Sequence, residues 1–126
     1  MSLKLMIVDD HAGIRNMIRQ VIAGPGDTVI ECGTAEEALH AVGVFQPDCV
    51  TMDIRMPGRS AFNVIRTIRE DYPAVRVVVV TSYDQRDFRQ AANEAGAAGY
   101  VVKDNLSELF LLVAPERLTS VVAERV

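Results

Sequence analysis

The sequence predicts an α/β domain of the doubly wound kind, a parallel sheet with helices on both faces. Two observations predict it. Short β-type runs alternate strictly with stretches whose apolar residues recur at helical spacing, and that alternation implies right-handed crossovers between parallel strands. The run Val75 to Val80 is also too uniformly apolar for a half-exposed strand, as the interior of a parallel sheet requires. At 126 residues the chain is one ordinary domain, long enough to bury about two thirds of its unfolded surface.

Leu3 to Val8 is the first strand. Ile14, Met17, Ile18, Val21 and Ile22 then form one helical stripe, which stops at Gly24-Pro25-Gly26. Thr28 to Cys32 alternates polar and apolar residues, as an edge strand does. Thr34 and Glu37 make a capping box, opening a helix that carries Ala35, Ala38, Leu39 and Val42 on one face. Pro47-Asp48 turns the chain into a third strand, Cys49 to Met52. Ser60 can cap a third helix, with Ala61, Val64, Ile65 and Ile68 inward and Tyr72-Pro73 at its end. After the strand Val75 to Val80, Asp84 can cap a fourth helix with Phe88, Ala91, Ala92 and Ala95 inward, ending at Gly96. Gly99 to Val102 is the fifth strand, and Leu106, Leu109, Phe110 and Val113 begin a fifth helix. Pro115 has no N–H for Leu111 but suits the first position of a new helix, so Leu118, Val121 and Val122 are expected on a second helical piece.

Hydrophobic residues make up 49% and charged residues 24%, a globular composition. No apolar run approaches the roughly 20 residues of a membrane span, and no secretory leader is visible, so a cytoplasmic location with no membrane attachment is expected. A formal net charge of −4 argues against a surface built to grip nucleic acid. Cys32 and Cys49 lie inside apolar runs at a spacing unlike metal or redox motifs, and read as buried thiols. Of the 13 basic residues only Lys4 and Lys103 are lysines.

In open parallel sheets, ligands bind at the carboxyl ends of the strands, beside the point where the strand order reverses. Here the first strand ends in Asp9-Asp10, the third in Asp53, the fourth in Thr81-Ser82 and the fifth in Lys103. Each has an ordinary explanation alone: Asp10 as a helix cap, Thr81 or Ser82 closing a turn, Lys103 as a solvated surface lysine. The topology, however, brings these ends to one rim. Three carboxylates there repel unless a cation is present, with only Lys103 nearby, and a hard divalent ion, Mg2+ above all, is the natural compensator. With it, one carboxylate can act as nucleophile while a hydroxyl and an ammonium hold the oxygens of an anion, which describes phosphoryl transfer to an aspartate.

These residues make the chain recognisable. From about Leu3 to Val113 it resembles the receiver domain of bacterial two-component response regulators, in "IVDDH", "MDIRMPG", "VVTSYD" and "GYVVKD". The resemblance implies a flavodoxin-like (βα)5 fold, with five parallel strands in the order 2-1-3-4-5. It implies Asp53 as phosphoacceptor, with Mg2+ held by Asp9, Asp10, Asp53 and the Arg55 backbone carbonyl. Thr81 and Tyr100 are then the switch pair, and Lys103 faces the phosphate. The partner implied is a sensor histidine kinase or phosphotransfer protein, with homodimerisation a further option. "VDDH" and "GYVVKD" look most like receivers that precede a LuxR-type helix-turn-helix, so transcription would be regulated, and DNA met, only through such an output domain outside this chain. Residues 1–114 are then the receiver, and 115–126 a helical extension or the start of a linker. The chain is either a stand-alone receiver or a part of a longer regulator.

The pattern departs from the family at Asp104, where proline often follows the lysine, at Arg59-Ser60-Ala61, and at Pro115. His11 follows the acidic pair, but a Mg2+ site prefers oxygen. His40 falls on the polar side of its helix, and Tyr83, two places after Thr81, borders the site. A haloacid dehalogenase-type phosphatase would need a second acid two residues after the nucleophile, where Arg55 stands. A degenerate receiver acting only as a protein-binding module would not need all five site positions. On this reading the chain is no metabolic enzyme, and catalyses only its own phosphorylation and dephosphorylation.

Overall fold

Parallel strands and helices alternate along the chain as the periodicity demands. The computed structural model describes residues 2–113 and 115. The strands are β1 (Lys4–Val8), β2 (Thr28–Cys32), β3 (Cys49–Met52), β4 (Arg76–Thr81) and β5 (Gly99–Val102). Between them run α1 (Ala12–Ile22), α2 (Ala35–Phe45), α3 (Ala61–Asp71) and α4 (Arg86–Ala95), and α5 (Leu109–Val113) follows β5 after a 3-10 segment. All pairings are parallel, in the order β2-β1-β3-β4-β5. The order reverses between β1 and β3, which makes the carboxyl ends of those two strands the crevice of the fold.

Strand alternation divides the core into two layers. On one face Met6, Val8, Val50, Met52, Val77 and Val79 pack against the inward sides of α2, α3 and α4, including Val42, Ile65 and Ala92. On the other face Leu5, Ile7, Val78, Val80 and Val101 meet Ile18 and Ile22 of α1 and Leu109 and Val113 of α5. Both cysteines are buried. Burial pushes the Cys32 thiol up to about 11.

Several elements differ from the expectation in instructive ways. Met17 is 51% exposed, since it lies about 120° around the helix from the centre of the Ile18–Ile22 line. The capping box forms with an altered second arm. Thr34 Oγ1 accepts from the Glu37 N–H at 3.1 Å, but the Glu37 carboxylate accepts from the N–H of Gly33 at 3.0 Å. Ser60 occupies the N-cap of α3 without a side-chain cap bond. Asp84 does not cap α4, because its carboxylate is taken by the Arg89 guanidinium and the cap position falls on Gln85. The fifth helix opens as a 3-10 segment, Lys103–Glu108, with a non-helical Asn105 at φ −133°. The second helical piece expected from Pro115 onward lies outside the described residues, apart from Pro115 itself.

The end of α4 shows how tightly the layers fit. Gly96 adopts φ 101°, the left-handed cap that glycine favours. A Cβ there would meet Arg69 Cγ at 2.7 Å, and Arg69 cannot simply swing away because its guanidinium donates to the Pro73 carbonyl at 2.9 Å. Gly96→Ala should therefore lower stability by about 1–2 kcal/mol, measured as a drop in the urea midpoint at constant slope. An unchanged midpoint would show that the Arg69 stem yields and that the turn carries no strain.

Candidate functional site at the carboxyl ends of the strands

The described residues contain four buried polar or charged side chains: Asp9, Thr51, Asp53 and Thr81. Three of them stand at carboxyl ends of strands, at the crevice. Asp9 and Asp53 lie one residue beyond β1 and β3, yet their N–H groups continue the ladder, donating to the carbonyls of Cys32 and Val8 at 3.1 Å. Both carboxylates are thus carried on backbone that the sheet holds rigid. The loop after Asp53 turns through Gly58 at φ 91°, a left-handed position that suits glycine.

Lys103, the residue after β5, joins them. Its ammonium donates to Asp53 Oδ2 at 2.8 Å and lies 2.9 Å from Asp9 Oδ2. Burial alone would lower the Lys103 pKa, but the hydrogen bonds and charges of Asp53 and Asp9 outweigh it and raise it above 10.5. The other oxygens are held by main chain: Asp53 Oδ1 accepts from the Arg55 N–H at 3.0 Å, and Asp9 Oδ1 from the His11 N–H at 2.9 Å.

Asp10 is set apart from this pair. Its carboxylate lies 3.0 Å from His11 Nδ1, which is itself 3.5 Å from Asp9. The expectation that Lys103 is the one basic group near the three acids therefore needs His11 added to it. Asp9, Asp10 and His11 each bring a ligand atom within 4.8 Å of the others, whereas Asp53 is tied to Asp9 through Lys103. The acidic rim suits a hard cation. Its donors are mainly carboxylate oxygens, and the buried Asp9 Oδ2 has the Lys103 ammonium as its charged partner at 2.9 Å.

Thr81 is fully buried and Ser82 exposed, so the expected hydroxyl pair contributes one buried member. Thr81 Oγ1 accepts a long bond, 3.4 Å, from the Tyr83 N–H. Tyr83 borders the site as expected, with the Arg55 guanidinium 4.7 Å above its ring and Phe88 edge-on at 5.8 Å. The Tyr100 hydroxyl donates to the Tyr83 carbonyl, and the Arg89 guanidinium lies 4.7 Å over the Tyr100 ring. Burial raises the Tyr100 phenol, with Arg89 opposing it. His40 is exposed on α2 and takes no part in the rim.

Sequence reasoning passed over two arginines. Arg89 covers Tyr100, and Arg15 donates both to the Asp9 carbonyl and to Glu31. Neither contact has a local signature, because each links residues on different elements. No described helix is long and apolar enough to cross a membrane.

Residues 5–114 match the family model of the response regulator receiver domain. The response regulator GacA of Pseudomonas aeruginosa is 35% identical over 105 residues, covering 80% of this chain and 48% of that protein. The DNA-binding transcriptional activator DevR/DosR of Mycobacterium tuberculosis is also 35% identical, over 80% of this chain and 48% of its own length. The chain thus spans about half the length of these curated relatives. Among solved structures, a LuxR-family two-component response regulator from Aurantimonas sp. SI85-9A1 superposes with a TM-score of 0.80 at 33% identity, covering 95% of this chain and 86% of that one.

The Lys103 bridge has a signed pH dependence. A raised folded pKa means that its contribution is complete below the ordinary lysine value of 10.5 and is lost as pH rises through the higher folded value. Lys103→Met should abolish this alkaline loss. At neutral pH without divalent cations it should cost about 1–3 kcal/mol, because two buried carboxylates lose their shared partner. Urea unfolding from pH 7 to 11 measures both, and parallel profiles for the two proteins would show that the bridge contributes nothing.

Proposed function

Since the chain belongs to the response regulator receiver family, we propose that it is a phosphorylation switch in which Asp53 is the phosphoacceptor. The observation that carries this reading is the Lys103 ammonium, which reaches Asp53 Oδ2 at 2.8 Å and Asp9 Oδ2 at 2.9 Å from a third strand. A partner histidine kinase or phosphotransfer protein supplies the phosphoryl group from a phosphohistidine. An Asp53 carboxylate oxygen attacks phosphorus, the P–O bond forms as the P–N bond breaks, and the electron pair leaves with the imidazole nitrogen, which takes up a proton. The Arg55 N–H donates to one Asp53 oxygen, while the Lys103 ammonium and the buried Thr81 hydroxyl hold oxygens of the arriving group, a role supported by the bond from Lys103 to Asp53. Mg2+, held by Asp9, Asp10, Asp53 and the Arg55 carbonyl, would neutralise the charge that gathers there.

The consequence reaches the surface through the neighbouring turn. Thr81 is linked through the Tyr83 N–H to the residue whose carbonyl accepts from Tyr100. A phosphoryl group that draws the Thr81 hydroxyl inward strains this link, and Tyr100 shifts with it. A face around Tyr100 changes for a partner or a second copy of the chain. Control of transcription, through an output domain beyond these residues, is part of the same proposal and is supported by the LuxR-family likeness. So are a cytoplasmic location and a chemistry confined to the protein's own phosphorylation and dephosphorylation.

Acetyl phosphate with Mg2+ should add one phosphoryl group, released by hydroxylamine, and Asp53→Asn should remain unlabelled in intact-mass spectra. Equal labelling of the variant would dismiss Asp53 as acceptor. Mg2+ at a hundredfold excess over its dissociation constant should stabilise the fold by about 2.7 kcal/mol. In thermal melts Asp10→Asn should lose most of that response, and a wild-type melting point indifferent to millimolar Mg2+ contradicts the acidic rim as a cation site.

A further inference from the structure

The two acids that follow β1 sit on a backbone whose direction is set from outside the rim. Arg15, in the first turn of α1, donates from Nη1 to the main-chain carbonyl of Asp9 at 2.5 Å and from Nε to Glu31 at 2.8 Å. The reason lies in the ladder. The Asp9 N–H donates to the Cys32 carbonyl at 3.1 Å, one step beyond the terminal Val8–Cys32 pair of β1 and β2. In a parallel ladder the next bond returns from the Thr34 N–H to the Asp9 carbonyl. Thr34 has by then turned away as the N-cap of α2. Asp9 is 1% exposed, and a buried carbonyl needs a donor. The guanidinium supplies it.

The Asp9 carbonyl and the Asp10 N–H belong to one planar peptide. The ladder holds Asp9, whose carboxylate faces Lys103, and holding the carbonyl sets the plane that leads on to Asp10, whose carboxylate lies beside His11. The Arg15 side chain is 18% exposed and is itself anchored by Glu31, which Arg19 grips from its other side at 2.8 Å. The planar guanidinium holds its Nη1 and Nε donors in one fixed fork, toward the carbonyl and the carboxylate, a geometry that the compact ammonium of lysine on its flexible stem does not reproduce.

We propose that Arg15 is a positioning residue for the cation site. It orients the Asp9–Asp10 peptide so that both carboxylates can face one divalent ion. The inference rests on the reading of these acids as Mg2+ ligands. Charge and position make opposite predictions, because removing a cation beside the acids would by Coulomb attraction alone tighten Mg2+ binding.

Calorimetric titration of MgCl2 into the wild-type protein, Arg15→Gln, Arg15→Lys and Arg19→Gln separates the two, with metal-free melts recorded alongside as a check on folding. Arg15→Gln should bind about tenfold more weakly, the scale on which outer partners of metal ligands act. Arg15→Lys, which keeps the charge, should also weaken. Arg19→Gln loses the other half of the Glu31 pair and should bind as wild type. The inference is overturned if Arg15→Gln binds as tightly as wild type or tighter, or if Arg19→Gln weakens equally. A wild-type protein that takes up no Mg2+ would remove the metal reading itself, and this inference with it.

Discussion

Everything at the carboxyl rim depends on one ammonium shared by two carboxylates. Lys103 lies fifty residues from Asp53 in sequence, and its position requires β5 to sit beyond β4 at the far edge of the sheet. A buried aspartate in water-poor surroundings would either protonate or unfold its neighbourhood, and two side by side would do so sooner. The bridge permits both to stay where the ladder places them. It also connects the first, third and fifth strands by charge as well as by hydrogen bonds, so the site and the sheet stand or fall together.

Much of this was legible in the sequence, and the legible part has a common physical origin. Asp9, Asp53, Thr81 and Lys103 each interrupt or terminate an apolar run, and in a parallel sheet the residue after such a run must lie at the rim. β2, β3 and β5 begin and end where the short β-type runs and the turns around them place them. Tyr100 was different. It sits within β5, where an aromatic side chain reads as packing, and only likeness to a family singled it out.

The misses are equally physical. Asp84 has the chemistry of a cap, but an arginine five residues later competes for its carboxylate. Met17 satisfies helical spacing yet misses the narrow line on which α1 meets the sheet. Local rules describe what a side chain can do, and a long arginine arriving from another turn decides what it does. Arg15 and Arg89 illustrate this best, each acting on a backbone carbonyl or an aromatic face that no spacing rule reaches.

The buried cysteines give the domain a chemical silence. With its thiol pushed up to about 11, Cys32 holds at neutral pH only roughly one thiolate in ten thousand molecules, and the thiolate is the form that peroxides and disulfides attack. Cys49 is sealed within the sheet at 2% exposure. Oxidants that act through thiolates therefore find no ready target at either cysteine. The two sulfurs fill space in the core, one in each of its two layers.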